Sequence, residues 1–125
     1  MSTEITIDTG TSELLCAIRD RVAVITLNRP EARNSLSDEL TPALRTMIRT
    51  CGEDPNVGAL LLTGAGKAFC AGGNVKGMGA HRDKKRQEMS DADKIADLQE
   101  RQRLLTGALV EVRKPTVAAL PGPAV

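Results

Sequence analysis

The sequence predicts an α/β layered fold, and three observations carry that prediction. Segments with helical periodicity alternate with short apolar runs of strand character along the 125 residues. The runs that follow the helical segments, Val57–Leu62 and Thr116–Leu120, are continuously apolar, the pattern of strands covered on both faces in a parallel sheet. The composition is that of one aliphatic globular domain, with 41% hydrophobic and 26% charged residues, a single Phe, and no Trp or Tyr.

The elements follow in order. Leu14–Ile18 and Val22–Leu27 read as two strands of a β-hairpin around Arg19, Asp20 and Arg21, although no Asn-Gly or Asp-Gly marks the turn. The polar stretch Asn28–Ser35, punctuated by Pro30, is a loop. Leu36, Leu40, Leu44, Met47 and Ile48 then fall on one helical face. Ser37 is a candidate cap, and Pro42 is an obstacle inside a helix unless it occupies the first turn. The spacing predicts a loose turn from Ser37, with Thr41-Pro42 opening a regular helix to about Cys51 that Gly52 terminates. Val57–Leu62 is the next strand. His81–Ser90 is polar and without periodicity. Asp91–Arg113 is helical, with Ile95, Leu98, Leu105, Leu109 and Val112 on one stripe, Ser90 as cap, and Asp91 and Asp93 at its positive end. Pro115 stops it, and Thr116–Leu120 is a further strand expected to be buried. The order is therefore β-β-α-β-α-β. A sheet that stops on a strand with no covering helix reads as an incomplete domain.

Bulk properties exclude several functions. The 17 basic and 16 acidic residues leave a formal net charge of +1, so no long-range field favours a nucleic acid or a membrane surface. Aromatic platforms for stacking single-stranded bases are missing. The apolar run from Val57 is too short to cross a bilayer, and the N-terminus has no basic region of a signal peptide. Cys16, Cys51 and Cys70 are odd in number and widely spaced, which fits reduced thiols in a cytoplasmic protein and neither a disulfide framework nor a metal site.

The chemically suggestive stretch is "KAFCAGGNVKG", Lys67–Gly77. It is not a phosphate loop, because Leu61 and Ala68 stand where that pattern requires Gly and Ser or Thr. Nor is it a dinucleotide fingerprint, because Arg82 replaces the third glycine after Gly77 and Gly79. His81, beside Arg82 and Lys84, reads as a solvated loop residue, and Cys70 as a small filler without a local base. The mixed-sign run Arg82–Arg103 reads as a solvated face. The glycines themselves have two readings, a plain tight turn or a bare backbone whose N–H groups meet a ligand.

Three stretches decide between these readings. "VAVITLNRPEARNSLS" (Val22–Ser37), "GKAFCAGGNVKGM" (Gly66–Met78) and "KPTVAALPGPAV" (Lys114–Val125) occur in this order and at suitable spacing. Together they resemble the enoyl-CoA hydratase/isomerase, or crotonase, family over nearly the whole chain after residue 14, and the chain looks like the N-terminal part of such a catalytic domain. The resemblance implies a crotonase-like spiral of β-β-α units, incomplete within these 125 residues, assembled as homotrimers or hexamers. It also implies an acyl-CoA thioester as substrate, CoA being part of that substrate, with no metal and no separate cofactor.

By the same resemblance the backbone N–H of Gly73 is one of two oxyanion donors. Ala71, Gly72, Asn74, Val75 and Lys76 complete a substrate-lining loop, and Arg29 and Ala32 border the adenine and pantetheine portion of CoA. Asn74 departs from the Asp usual in that loop. The family's second oxyanion glycine and its catalytic carboxylates correspond to positions after Val125, so Glu88, Glu100 and Glu111 are not substitutes for them. The expectation is an enoyl-CoA hydratase, a lyase of lipid metabolism that adds water to a 2,3-enoyl-CoA, with the 125 residues alone inactive. Two alternatives stand beside it. One is another crotonase-family reaction, such as double-bond isomerisation, thioester hydrolysis or decarboxylation. The other is a truncated binding or assembly module without catalysis.

Overall fold

The computed structural model describes residues 4–72 and 90–124. Five strands form one sheet in the order of the sequence: β1 (Ile5–Ile7), β2 (Leu14–Arg19), β3 (Val22–Leu27), β4 (Ala59–Gly64) and β5 (Thr116–Ala118). β2 pairs antiparallel with both β1 and β3, whereas β3, β4 and β5 run parallel. The two parallel crossovers carry the helices α1 (Leu40–Glu53) and α2 (Asp91–Glu111), as parallel pairing requires. A single 3₁₀ turn, Pro30–Ala32, follows β3.

The hairpin closes through Asp20 and Arg21, both with positive φ (50° and 66°). That is the backbone a two-residue turn needs to match strand twist, here reached without glycine. The Arg21 carbonyl also accepts the Gly58 N–H at 2.6 Å, which ties this turn to the entrance of β4. β1 is an addition to the expected elements. Its three residues alternate too briefly to register as a strand, and its existence depends on pairing with β2 from Ile5↔Ile18 to Ile7↔Cys16.

The core is one aliphatic layer between the sheet and the helices. Leu14, Cys16 and Ile18 of β2, Ala23, Ile25 and Leu27 of β3, and Leu60 of β4 face Leu40, Leu44, Met47, Ile48 and Cys51 of α1. Alternation on β2 and β3 therefore puts one residue in two inside. The Cys16 and Cys51 sulfurs lie 3.8 Å apart in this layer as free thiols. The hydrogen bond between them pulls the Cys51 thiol down and, with burial, pushes the Cys16 thiol up.

A serine hydroxyl holds an N–H at both helix starts, from the preceding turn in α1, whose N-cap is Glu39, and as the N-cap itself in α2. Ser37 Oγ accepts the Leu40 N–H at 2.9 Å, and Ser90 Oγ accepts the Asp93 N–H at 3.1 Å. α1 thus begins at Leu40, earlier than Thr41-Pro42, and Pro42 sits in the first turn, where no intrahelical N–H is missed. Gly52 does not terminate α1. It lies inside the helix, where an added methyl would stand 3.2 Å from a Val112 methyl, so its role is close contact with the α2 exit. β5 departs from expectation as well. All three of its residues are exposed, Val117 at 56%, because β5 is an edge strand whose outer side meets nothing among the described residues. The α2 stripe holds only in part. Ala108 is buried and Leu105, Leu109 and Val112 pack against the core, but Ile95 is exposed. The expected loop His81–Ser90 falls outside the described residues except for Ser90.

Lys114 fastens the far end of α1. Its ammonium donates to the carbonyls of Cys51 (2.9 Å) and Asp54 (2.5 Å), where the helix end leaves acceptors without intrahelical partners. Lys114→Met should remove both bonds while keeping the stem, at a loss of about 2 kcal/mol in urea unfolding. A loss under about 0.5 kcal/mol would show that water serves these carbonyls equally well.

Candidate functional site

Parallel pairing of β3 with β4, from Val22↔Ala59 to Leu27↔Gly64, brings the C-terminal ends of the two strands side by side. The loops leaving those ends form two walls of a hollow of about 530 Å³. Pro30 and Arg33 line one wall. Gly66, Lys67, Ala68, Cys70 and Ala71 line the other, and Pro123 closes the side. The crevice at the carboxyl ends of parallel strands is where open α/β sheets commonly receive ligands.

The first wall has an unusual backbone. Arg33 and Asn34 both have positive φ (53° and 57°). Asn34 is fully buried. Its N–H donates to the Arg29 carbonyl at 2.8 Å, and its Oδ1 accepts the Arg29 N–H at 2.7 Å. Its Nδ2 reaches the second wall, donating to the carbonyls of Ala65 and Ala68, each at 2.9 Å. Asn tolerates the left-handed conformation better than most residues, which fits it to this corner.

The second wall is built from close backbone contacts. Gly64 ends β4 where an added Cβ would stand 2.7 Å from the Phe69 carbonyl oxygen and 2.8 Å from Asn34 Nδ2. Gly66 takes φ +82° beside Pro30. The chain then runs alongside its own end. Phe69 N–H donates to the Pro123 carbonyl at 3.0 Å, Cys70 bridges to Ala124, and a Cβ on Gly122 would lie 1.8 Å from the Lys67 carbonyl oxygen. Gly72, at φ +89°, accepts the Leu36 N–H at 2.6 Å and sends its own N–H toward Cys70 Sγ at 3.4 Å. Its carbonyl is thereby committed to the opposite loop directly ahead of Gly73 in the chain.

Of the sequence-predicted site residues, Ala71 lines the hollow and Gly72 joins its walls. Ala32 is half-buried in the 3₁₀ turn, with its N–H on the Arg29 carbonyl at 2.9 Å. Arg29 is held inward. Its guanidinium pairs with Glu13 at 3.1 Å and donates to the Ser35 carbonyl at 2.6 Å. Glu13 in turn accepts from Ser37 Oγ at 2.5 Å, so Arg29 braces the loop against β2 and the start of α1. Gly73, Asn74, Val75 and Lys76 lie outside the described residues, as do His81 and Glu88. Glu100 is paired with Arg103 at 2.7 Å on the exposed side of α2, and that contact holds its carboxyl below the usual range. Glu111 borders a separate hollow between the ends of α1 and α2.

Arg33, Lys67 and Asn34 were not singled out by sequence. The first two are ordinary surface cations until the fold sets them on facing walls. The only hint for Asn34 was its residue type, common in turns. Its partners 31 and 34 positions away leave no local signal. Among the described residues there is no group of three or more His, Cys, Asp or Glu arranged to hold a metal ion, and no helix long and apolar enough to cross a membrane.

The family model for enoyl-CoA hydratase/isomerase matches residues 17–125. A probable enoyl-CoA hydratase of Mycobacterium bovis is 37% identical over 114 residues, covering 90% of this chain and 40% of that protein. The mitochondrial 3-hydroxyisobutyryl-CoA hydrolase of Mus musculus is 35% identical over 115 residues, covering 91% of this chain and 28% of that one. In three dimensions the chain superposes on an enoyl-CoA hydratase/isomerase from Mycobacterium paratuberculosis with a TM-score of 0.71 and 32% identity, over 91% of this chain and 43% of that structure. The chain belongs to the enoyl-CoA hydratase/isomerase, or crotonase, family, and its mixed α/β architecture is that of the family's solved members. It spans less than half the length of these relatives.

The crowding at Gly64 gives a direct test of the wall geometry. Gly64→Ala should cost about 1–3 kcal/mol in denaturant unfolding, because two carbonyls and the Asn34 amide must move. Gly58→Ala, whose added methyl would meet Arg21 atoms no closer than 3.7 Å, is the matched control. It should be neutral or stabilising by a few tenths of a kcal/mol, roughly. Equal effects of the two would contradict the packing described.

Proposed function

We propose that the cleft binds the thioester end of an acyl-CoA, and that the protein is an enoyl-CoA hydratase adding water across the 2,3 double bond of an enoyl-CoA. The observation that carries this reading is the convergence of a side-chain-poor backbone wall, Gly64 to Gly72, with two cations, Arg33 and Lys67, on one hollow. A thioester carbonyl needs close access to backbone N–H groups as its oxygen gains negative charge in the enolate. Glycine and alanine give that access. The phosphates of CoA need cations at the rim, where Arg33 and Lys67 are exposed. In this reading Gly73 N–H is the oxyanion donor. Asn74, Val75 and Lys76 continue the substrate-lining loop, while Ala32 and Arg29 shape the CoA border, Arg29 through its bonds to Glu13 and Ser35.

Among the described residues, those lining the hollow include no carboxylate. In this reading the water and the α-proton are handled by groups other than these lining residues, which hold the thioester. Assembly as a homotrimer or hexamer, and action without a metal or separate cofactor, belong to the same proposal. Thioester hydrolysis is the second reading. Its support is that the hydrolase from Mus musculus is nearly as similar as the hydratase from Mycobacterium bovis. Both reactions use an oxyanion site, so the choice rests on the groups that deliver water.

The test is hydration of crotonyl-CoA by the intact protein, followed by loss of the conjugated enoyl absorbance, with free thiol release recorded in parallel. Hydration without thiol release supports the first reading, and thiol release from hydroxyacyl-CoA supports the second. Gly73→Pro removes the N–H and should lower either rate by about 10²–10³. Undiminished turnover in that variant would remove Gly73 from the mechanism.

A further inference from the structure

We infer that Asn34 is a positioning residue, whose buried carboxamide sets the separation of the two cleft walls and thereby the fit of the thioester. The inference rests on the acyl-CoA reading of the cleft but concerns a side chain that does not line it.

Asn34 is fully buried, yet it lies between two loops rather than in the aliphatic core. Three of the four hydrogen-bonding valences of its carboxamide have an assigned task. Oδ1 accepts the Arg29 N–H at 2.7 Å, and Nδ2 gives its hydrogens to Ala65 O and Ala68 O at 2.9 Å each. The partners fix which way the amide points. A flipped amide would set Nδ2 against an N–H and its oxygen against two carbonyls. The two carbonyls flank Gly66 and Lys67, the part of the second wall that faces Pro30 and Arg33 across the hollow. One planar group thus joins the wall bearing Arg33 to the wall bearing Lys67.

No other residue type does this. Aspartate has the same shape but offers only acceptors to two carbonyls. Serine is too short to span them, and glutamine adds a methylene where Gly64 already leaves no room, Nδ2 being 2.8 Å from the site of an added Cβ. Other ties between the loops lie at the ends of the cleft. Ala65 N–H bonds the Leu27 carbonyl at 2.8 Å, and Leu36 N–H bonds Gly72 at 2.6 Å. Asn34 sits between them and holds the middle. A catalytic pocket is sensitive to displacements of about 1 Å, so a clamp at this point acts on chemistry without touching the substrate.

The experiment compares the protein with Asn34→Asp and with Ile48→Ala, a truncation in the sheet–helix core that lowers stability without touching either wall. Two readouts are taken: crotonyl-CoA affinity, and backbone amide hydrogen exchange. In Asn34→Asp, amides of residues 29–35 and 64–70 should exchange faster together while those of β2, β3 and α1 keep their protection, and the crotonyl-CoA Kd should rise by about tenfold. Ile48→Ala should keep its Kd within about twofold. The inference is overturned if the parent binds crotonyl-CoA and Asn34→Asp binds it equally well, if Ile48→Ala loses affinity equally, or if the two loops do not loosen together. Should Asn34→Asp not fold, Asn34→Gly accepts the same positive φ and admits water to the vacated amide site, and it carries the same comparison. The exchange result stands even if the parent protein ignores crotonyl-CoA. That outcome would refute the acyl-CoA reading, while concerted loosening would still establish the clamp.

Discussion

The parallel pairing of β3 with β4 is the constraint from which the rest follows. An antiparallel partner would send the loop after β4 to the opposite edge of the sheet from the loop after β3. Parallel register, ending at Leu27↔Gly64, puts both exits at one edge. It also obliges the chain to cross over, and α1 is that crossover. Its apolar face, Leu40 through Cys51, seals the aliphatic layer below the sheet. Packing and site geometry are thus one decision. The same register that buries the helix makes a cleft from two loops far apart in sequence.

Within that frame the polar residues serve the loops rather than the core. Arg29 is paired with Glu13 and Ser35, Ser37 caps α1 while bonding Glu13, and Asn34 crosses to Ala65 and Ala68. Among the described residues no buried side-chain nitrogen or oxygen is left without a partner. That completeness matters for a site whose proposed chemistry rests on backbone amides. Backbone cannot be tuned by rotamer, so its placement depends on what holds the chain. Side chains around the cleft spend their hydrogen bonds on that task, which is why the wall can be lined by glycine and alanine.

The fold was legible wherever hydrophobic periodicity reported it. The Val22–Leu27 strand, the α1 face and the α2 start at Ser90 all emerge from local pattern. Three features did not, each for a physical reason. β1 is three residues long, and only its pairing makes it a strand. Gly52 looked like a terminator but serves the contact with Val112, a residue in another element. β5 has the composition of an interior strand, yet burial is decided by neighbours, and its outer edge is bare among the described residues. In the sequence, the candidate site shows as a glycine-rich turn and as a family resemblance. Its mechanical centre, Asn34, does not, because long-range hydrogen bonds leave no periodicity. Membership in the enoyl-CoA hydratase/isomerase family adds the chemistry that geometry alone does not specify, while relatives that hydrate and hydrolyse stand almost equally near.

In the proposed function, the space between the two strand-exit loops receives an acyl-CoA. The most direct measurement is the footprint of a non-reactive acyl-CoA on the backbone amide resonances of the protein. Shifted amides should cluster in residues 29–36 and 64–73. Shifts centred instead on the hollow bounded by Arg49, Glu111 and Arg113, or on no contiguous surface, would contradict the proposed function.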